Sequence, residues 1–262
     1  MTQPLLDGKV AFIAGGSSGI NLGVAHGFAA AGARLALISR SPERIEGAAK
    51  ELCDAGFEAI GIAADVRDFN AVDAAMQQTR DAYGEIDIVL SGAAGNFVAP
   101  ARELSANGFK TVIDIDLLGT FNVFRASYPH LRKPGASLIA ITAGLAIQPT
   151  KNQIHACAAK AGVNMVTKCL ALEWGPEGIR VNGISPGPIA DTEGMRRLTP
   201  TPEIAEAYRR TIPLGTYGEK RDIADLAVYL SSDSGRYITG VIIDCDGGAI
   251  LTNGFGSSFV ET

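Results

Sequence analysis

Val10-Ala11-Phe12-Ile13-Ala14-Gly15-Gly16-Ser17-Ser18-Gly19-Ile20 decides the fold. The apolar run reads as a buried strand, the glycines as a tight turn, and Leu22–Ala31 as a helix. Glycines at such a turn let the backbone approach a pyrophosphate. The N–H groups and positive dipole end of the following helix complete an anion site. Gly15, Gly16, Ser17, Ser18, Gly19 and Ile20 are therefore candidate dinucleotide contacts. A glycine-rich turn alone is weak evidence; directly after the first strand of an alternating chain it is strong.

That alternation continues along the chain. Arg34–Ser39, Ala59–Ala63, Ile86–Leu90, Ser137–Thr142, Arg180–Ile184 and Val241–Asp244 read as further strands. Helical patterns lie near Pro42–Ala55, Ala71–Tyr83 and Asp222–Ser231; a long helix ends near Leu131, and another carries Lys160. The pattern predicts an α/β fold: a doubly wound parallel sheet of about seven strands with helices on both faces. Ligands in such sheets bind at the carboxyl ends of the strands, where the strand order reverses. Residues 190–214 break the rhythm, with one helical piece near Pro202–Arg210. Long irregular segments are usually lids. The stretch reads as a substrate flap, the plainer alternative being a surface insertion without a role.

The 262 residues suffice for one large domain spanning 1–262. With 47% hydrophobic and 19% charged residues the chain reads as globular, and a net charge of −5 argues against a nucleic-acid partner. No apolar run is long enough to span a bilayer, and no signal or peroxisomal address is apparent, so the cytoplasm is expected. Cys53, Cys157, Cys169 and Cys245 are scattered and His26, His130 and His155 lie far apart, so neither disulfides nor a metal site are expected.

The second strand ends Ile38-Ser39-Arg40-Ser41. An acid at that place usually holds the ribose 2′-hydroxyl of NAD. Arg40, assisted by Arg44 and beside Ser41, instead suits the 2′-phosphate of NADP(H), the alternative being a solvated helix-start charge. Asp65-Val66, after the third strand, is placed to hold an adenine ring.

Gly15-x-x-x-Gly19-Ile20, Asp65-Val66, Ala93-Ala94-Gly95, Lys160 and Ser185-Pro186-Gly187 together resemble the short-chain dehydrogenase/reductase family. The resemblance runs through Asp246-Gly247-Gly248 and implies a Rossmann sheet, usually in a homotetramer. It also implies cofactor contacts from Ala93, Ala94, Gly95, Lys160, Pro186, Gly187, Pro188, Ile189 and Thr192. Asn21 departs from the pattern, which commonly has a third glycine there.

A larger departure lies on the helix Gln153–Lys160. The family places a proton-donating tyrosine four residues before the lysine, on the same helix face. Here that residue is Ala156, and no tyrosine occurs between Tyr128 and Tyr208. Thr142 stands where the family's serine often stands and could orient a substrate oxygen, or be an ordinary strand-end residue. Asp116 replaces a common asparagine. A carboxylate beside Lys160 makes a charge pair able to hold a water and relay a proton, and an unpaired carboxylate there would be costly.

Ala93-Ala94-Gly95-Asn96-Phe97, Asn107-x-Phe109-Lys110-Thr111-Val112, Asp114-Ile115-Asp116, His155-Ala156, Glu173-Trp174-Gly175-Pro176 and Thr192-Glu193-Gly194 carry a narrower resemblance, to 2,4-dienoyl-CoA reductases of the peroxisomal type. The mitochondrial type has a tyrosine after the fifth strand, where Leu145 stands here. The resemblance implies hydride transfer from NADPH to the far end of a conjugated dienoyl thioester. Water held by Asp116 and Lys160 then protonates carbon to give a 3-enoyl-CoA, so no tyrosine is required. It also implies acyl-CoA contacts from Arg67, Phe97, Ser105, Asn107 and Arg197, of which Arg67 could equally be a plain surface charge. Two rival readings are an alcohol or 3-oxoacyl dehydrogenase with a displaced acid and a family member that only binds nucleotide. Asp116 beside a retained Lys160 argues against the second.

Overall fold

In the computed structural model, which describes residues 4–252, the opening stretch forms β1 (Val10–Ala14), a turn and α1 (Gly19–Ala30). Gly15 (φ +81°) and Gly19 (φ +61°) hold left-handed backbone that a side chain would strain. β2 (Arg34–Ser39), α2 (Pro42–Asp54), β3 (Ala59–Ala63), α3 (Phe69–Tyr83) and β4 (Ile88–Ser91) follow. Local chemistry starts two of these helices: Ser41 caps α2 ahead of Pro42, and Asp68 caps α3 by accepting from Asn70 and Ala71 N–H. The second half comprises α4 (Ala106–Val112), α5 (Gly119–Ser127), β5 (Ser137–Ile141), α6 (Ile154–Trp174), β6 (Arg180–Pro186), α7 (Glu193–Leu198), α8 (Pro202–Arg209), α9 (Lys220–Ser231) and β7 (Ile242–Cys245).

The strands form one parallel sheet of seven in the order β3-β2-β1-β4-β5-β6-β7. Alternate residues of β1 feed two cores. Ala11 and Ile13 pack with Phe28, Leu52 and Ile223 on one face; Val10, Phe12 and Ala14 pack with Met76, Phe124 and Val163 on the other. Each large side chain so buried contributes about 1.5–3 kcal/mol. The strand order reverses between β1 and β4, which places the crevice at their carboxyl ends.

The expected long helix ending near Leu131 is instead interrupted. Ile113–Leu118 forms a π-helical turn between α4 and α5, and Tyr128–His130 is a short 3₁₀ turn. α5 is fixed to the loop after β3, where a Cβ on Gly119 would lie 2.6 Å from Val66 Cγ2 and Asn122 Nδ2 donates to Val66 O at 2.9 Å. α4 is set by the loop that leaves β4. The wider turn lies between these two attachments and carries Asp116. The fourth strand begins at Ile88 because Ile86 makes an isolated bridge with Leu131. The excursion over 190–214 contains α7 as well as α8, and an Ile189–Gly218 bridge closes its base. Of the apolar tail 249–262, whose sequence suits docking into a neighbouring subunit, Ala249–Thr252 forms a 3₁₀ turn and the rest lies outside the described residues.

Candidate active site

The loops after β1, β2, β3 and β4 surround a cleft of about 510 Å³. Gly15, Ser17, Ser18, Arg40, Ser41, Arg44, Asp65, Val66, Ala93 and Ala94 all line it. Gly15 and Gly16 N–H groups donate to Ile38 O, which holds the turn against β2. A Cβ on Gly15 would lie 2.8 Å from Ala93 N, so the cradle is open only because glycine forms it. Ser18 starts α1 without a side-chain cap bond, leaving first-turn amides for an anion. Shape and donors thus fit a dinucleotide. Gly16 packs on Leu37, and Ile20 is packed against the core behind the turn.

Arg40 and Arg44 form no ion pair among the described residues, and both line the cleft. Arg67 does form one. Its guanidinium clasps the Asp65 carboxylate, Nη2 to Oδ2 at 2.5 Å and Nε to Oδ1 at 3.0 Å and to Oδ2 at 3.1 Å, and its backbone N–H also donates to Oδ1. These bonds hold the Asp65 carboxyl below its ordinary pKa, with Arg40 adding a smaller pull. Arg67 is thus engaged by its neighbour rather than free for an external anion.

The reaction corner lies at the ends of β4 and β5. The π-helical turn presents Asp116, 2% exposed, and α6 presents Lys160, 7% exposed. Lys160 Nζ stands 3.4 Å from Asp116 Oδ2 and donates to Ile141 O at 2.9 Å. The other carboxylate oxygen accepts from Gly95 N–H at 2.7 Å. The turn itself is tied by Thr120 Oγ1 donating to Asp116 O and Ser91 Oγ donating to Thr120 Oγ1. Each buried charge therefore has a partner, which such charges need. Ala156 is buried against Val112 and Ala159, with Ile113, Leu117 and Leu145 around them. The place of a phenol is filled by aliphatic packing.

Other expected site residues are already partnered. Thr142 Oγ1 donates to Asn164 Oδ1 at 2.6 Å. Ser105 Oγ caps α4 by accepting from Gly108 N–H, and Asn107 O accepts from Thr111 Oγ1. Arg197 and Arg196 both pair with Glu193 on the exposed surface of α7. Gly187 N–H donates to Cys245 O, Pro188 O accepts from Gly218 N–H, and Thr192 Oγ1 donates to Ile189 O while capping α7. Phe97 stacks on His155 with centroids 4.4 Å apart. Asn96 Nδ2 donates to Gln153 Oε1, and Ala99 N–H to Asn152 O, so the loop after β4 is stitched to the start of α6. No group of three or more His, Cys, Asp or Glu side chains among the described residues could hold a metal ion.

Sequence reasoning gave no role to Gly92, His155 or Asn164. Asn21 it noted only as a departure. The spacing of distant residues carries no signal for such contacts. Asn21 was the one residue whose oddity could have pointed to its contacts with Gly15 and Gly92.

The profile described as Enoyl-(Acyl carrier protein) reductase matches residues 14–250. A peroxisomal 2,4-dienoyl-CoA reductase [(3E)-enoyl-CoA-producing] of Arabidopsis thaliana is 44% identical, over 94% of this chain and 85% of its own. A probable 2,4-dienoyl-CoA reductase [(2E)-enoyl-CoA-producing] of Bacillus subtilis is 36% identical, over 94% and 98%. The crystal structure of a Burkholderia cenocepacia gluconate 5-dehydrogenase in complex with NADP and tartrate superposes with a TM-score of 0.88 at 27% identity, over 95% and 98%. The chain belongs to the short-chain dehydrogenase/reductase family, whose members use a nicotinamide cofactor.

Proposed function

We propose that this protein reduces 2,4-dienoyl-CoA thioesters to 3-enoyl-CoA products with NADPH. The observation that carries the reading is the buried Asp116–Lys160 pair beside an Ala156 enclosed by aliphatic side chains. An alcohol dehydrogenase needs an acid at a carbonyl oxygen, and Ala156 cannot supply one. The names of the Arabidopsis and Bacillus relatives favour the dienoyl thioester as substrate, and the more similar of them favours the 3-enoyl product. Arg40 and Arg44, unpaired at the cleft, favour the 2′-phosphate of NADP. Asp65-Val66, Ala93–Gly95, Lys160 and 186–192 complete the cofactor set in this reading.

The nicotinamide ring, when bound, supplies the hydride that reduces the conjugated system. The chain's own residues handle the proton. Lys160 donates one N–H to Ile141 O and stands in ion-pair contact with Asp116 Oδ2 at 3.4 Å, which leaves donor capacity for a ligand or a water. Gly95 N–H fixes the bearing of the Asp116 carboxylate. A water accepting from Lys160 and donating to Asp116 loses its proton to the dienolate carbon. The ammonium restores that proton and is recharged from solvent. Phe97 lines the acyl channel, with Ser105, Asn107 and Thr142 around it. Arg67 and Arg197 meet CoA phosphates by exchanging their present acid partners.

Residues 190–214 close over the acyl chain in the same proposal. Leu118, Phe121, Met165 and Leu172 are exposed near and along α5 and α6 and suit the self-association of a homotetramer. No helix among the described residues is long and apolar enough to cross a membrane; a cytoplasmic setting belongs to the proposal. The test is NADPH oxidation with a 2,4-dienoyl-CoA, alongside a 3-oxoacyl-CoA and NADH, with the product double bond located by NMR. Turnover restricted to the dienoyl thioester is expected. Inactivity toward every unsaturated thioester overturns the reading.

A further inference from the structure

Asn21 is 8% exposed, on the first turn of α1. Both hydrogens of its carboxamide are spent on backbone, Nδ2 donating to Gly15 O at 3.2 Å and to Gly92 O at 2.8 Å. Gly15 is the first residue of the phosphate turn, and Gly92 directly follows β4. The side chain fills the gap between them. A Cβ on Gly92 would lie 2.2 Å from Asn21 Oδ1, and one on Gly15 would lie 3.0 Å from Nδ2. The amide oxygen is buried without a partner, an unfavourable arrangement kept alongside the two donated bonds. From Gly92 the chain runs through Ala93 and Ala94 to Gly95, whose N–H holds Asp116.

We propose that Asn21 is a positioning residue that clamps the phosphate turn to the end of β4, so that one bridge sets both the dinucleotide cradle and the bearing of Asp116. Family members with glycine at this place have no side chain to make such a bridge. The amide orientation follows from the two carbonyls it faces, since an oxygen there would oppose both. The proposal rests on the NADPH-dependent reading above.

The test uses Asn21→Asp and Asn21→Gly in the full chain, with two readouts. Kd for NADPH is measured by nucleotide fluorescence without any acyl substrate, and kcat is measured with a 2,4-dienoyl-CoA at saturating NADPH. Asn21→Asp keeps the shape and sets a carboxylate against two carbonyls. It is expected to raise Kd at least tenfold and lower kcat at least tenfold. Asn21→Gly removes the bridge and is expected to raise Kd about threefold to tenfold with a parallel fall in kcat. If Asn21→Asp matches the wild type, the residue only fills space and the proposal fails. If Asn21→Asp does not fold, Asn21→Gly decides. Kd and kcat within twofold of wild type overturn the clamp. A weaker Kd with unchanged kcat overturns its link to Asp116. A wild-type protein that binds NADPH but reduces no dienoyl thioester defeats the functional reading. The effect of Asn21 on Kd still tests the clamp in that case.

Discussion

The dinucleotide cleft and the reaction corner share the carboxyl edge of one sheet, yet they are built in different ways. The cleft is lined mainly from short stretches, within 15–18, 39–44 and 64–66, each at or just after the end of its own strand. Its central feature is the absence of side chains, as at Gly15, where a Cβ would strike the next loop. The corner gathers Gly95, Asp116, Ile141 and Lys160 from four separate segments, and its central feature is a buried pair of opposite charges. One region therefore depends on backbone shape and the other on charge compensation. Damage to one need reach the other only through what they share, the Asn21 bridge and Gly95 and Lys160, which belong to the corner and to the proposed cofactor set.

The most severe test of that separation is Asp116→Ala. Loss of the proton path is expected to lower kcat by about 10²–10⁴-fold. Lys160 would be left buried with only Ile141 O, so stability should fall by about 3–5 kcal/mol in denaturant titration. NADPH affinity should stay within about threefold if the regions are separable, a margin well under one charged hydrogen bond. A collapse of affinity would show that corner and cleft form one unit. Asp116→Asn can still accept from Gly95 N–H and should be the milder variant in stability.

Arg40→Ala tests the cleft from its own side. Removing one unpaired guanidinium from a phosphate should weaken NADPH by about 10–100-fold, the worth of a charge-assisted contact. NADH affinity and kcat at saturating cofactor should hardly move. Equal weakening of both nucleotides would mean that Arg40 serves the general field of the cleft and not the 2′-phosphate.

Ala156→Tyr asks whether the corner could be converted to the chemistry of the wider family. The methyl of Ala156 is 2% exposed, packed with Val112 and Ala159. A phenol there overfills the contact, at a cost of about 1–3 kcal/mol. A lowered melting temperature with no gain in ketone reduction is expected. A gain in 3-oxoacyl reduction would revive a displaced-acid dehydrogenase.

The same contrast explains what the sequence could disclose. Strand–helix alternation and the Gly15–Ile20 turn specify the sheet, because each element follows from its own residues. The strand edges at Ile88 and Ile242 missed by one or two positions, where pairing partners rather than propensity set the limit. The interrupted helix was hidden, since Ile113–Leu118 has the apolar pattern of an α-helix and carries no Pro or Gly to mark the π-helical turn. In the corner, the Asp116–Lys160 pairing was legible because Asp116 replaces a common asparagine and Lys160 stands without the family's tyrosine. Their shared dependence on Gly95 and Ile141 had no sequence signal. Arg67 and Arg197 drew attention as cations, but their acid neighbours Asp65 and Glu193 decide what they touch.

The smallest expected effect belongs to Arg67→Ala. Arg67 holds the Asp65 carboxyl below its ordinary value, chiefly through the side-chain hydrogen bond. A carboxyl with a depressed folded pKa stabilises the protein above its unfolded value, about 3.9. That contribution disappears as pH falls through the lower folded value. The pair is partly exposed, with side chains 41% and 28% accessible, so at neutral pH it is worth at most about 1 kcal/mol. The stability gap between wild type and Arg67→Ala, read from denaturant midpoints, should therefore be small at pH 7 and close below about pH 4. A carboxyl titration followed by NMR should show Asp65 returning upward in the variant. A gap that stays constant through the acid range would mean that Arg67 contributes packing alone, and would remove a pair that brings charge compensation to the edge of a cleft otherwise shaped by backbone.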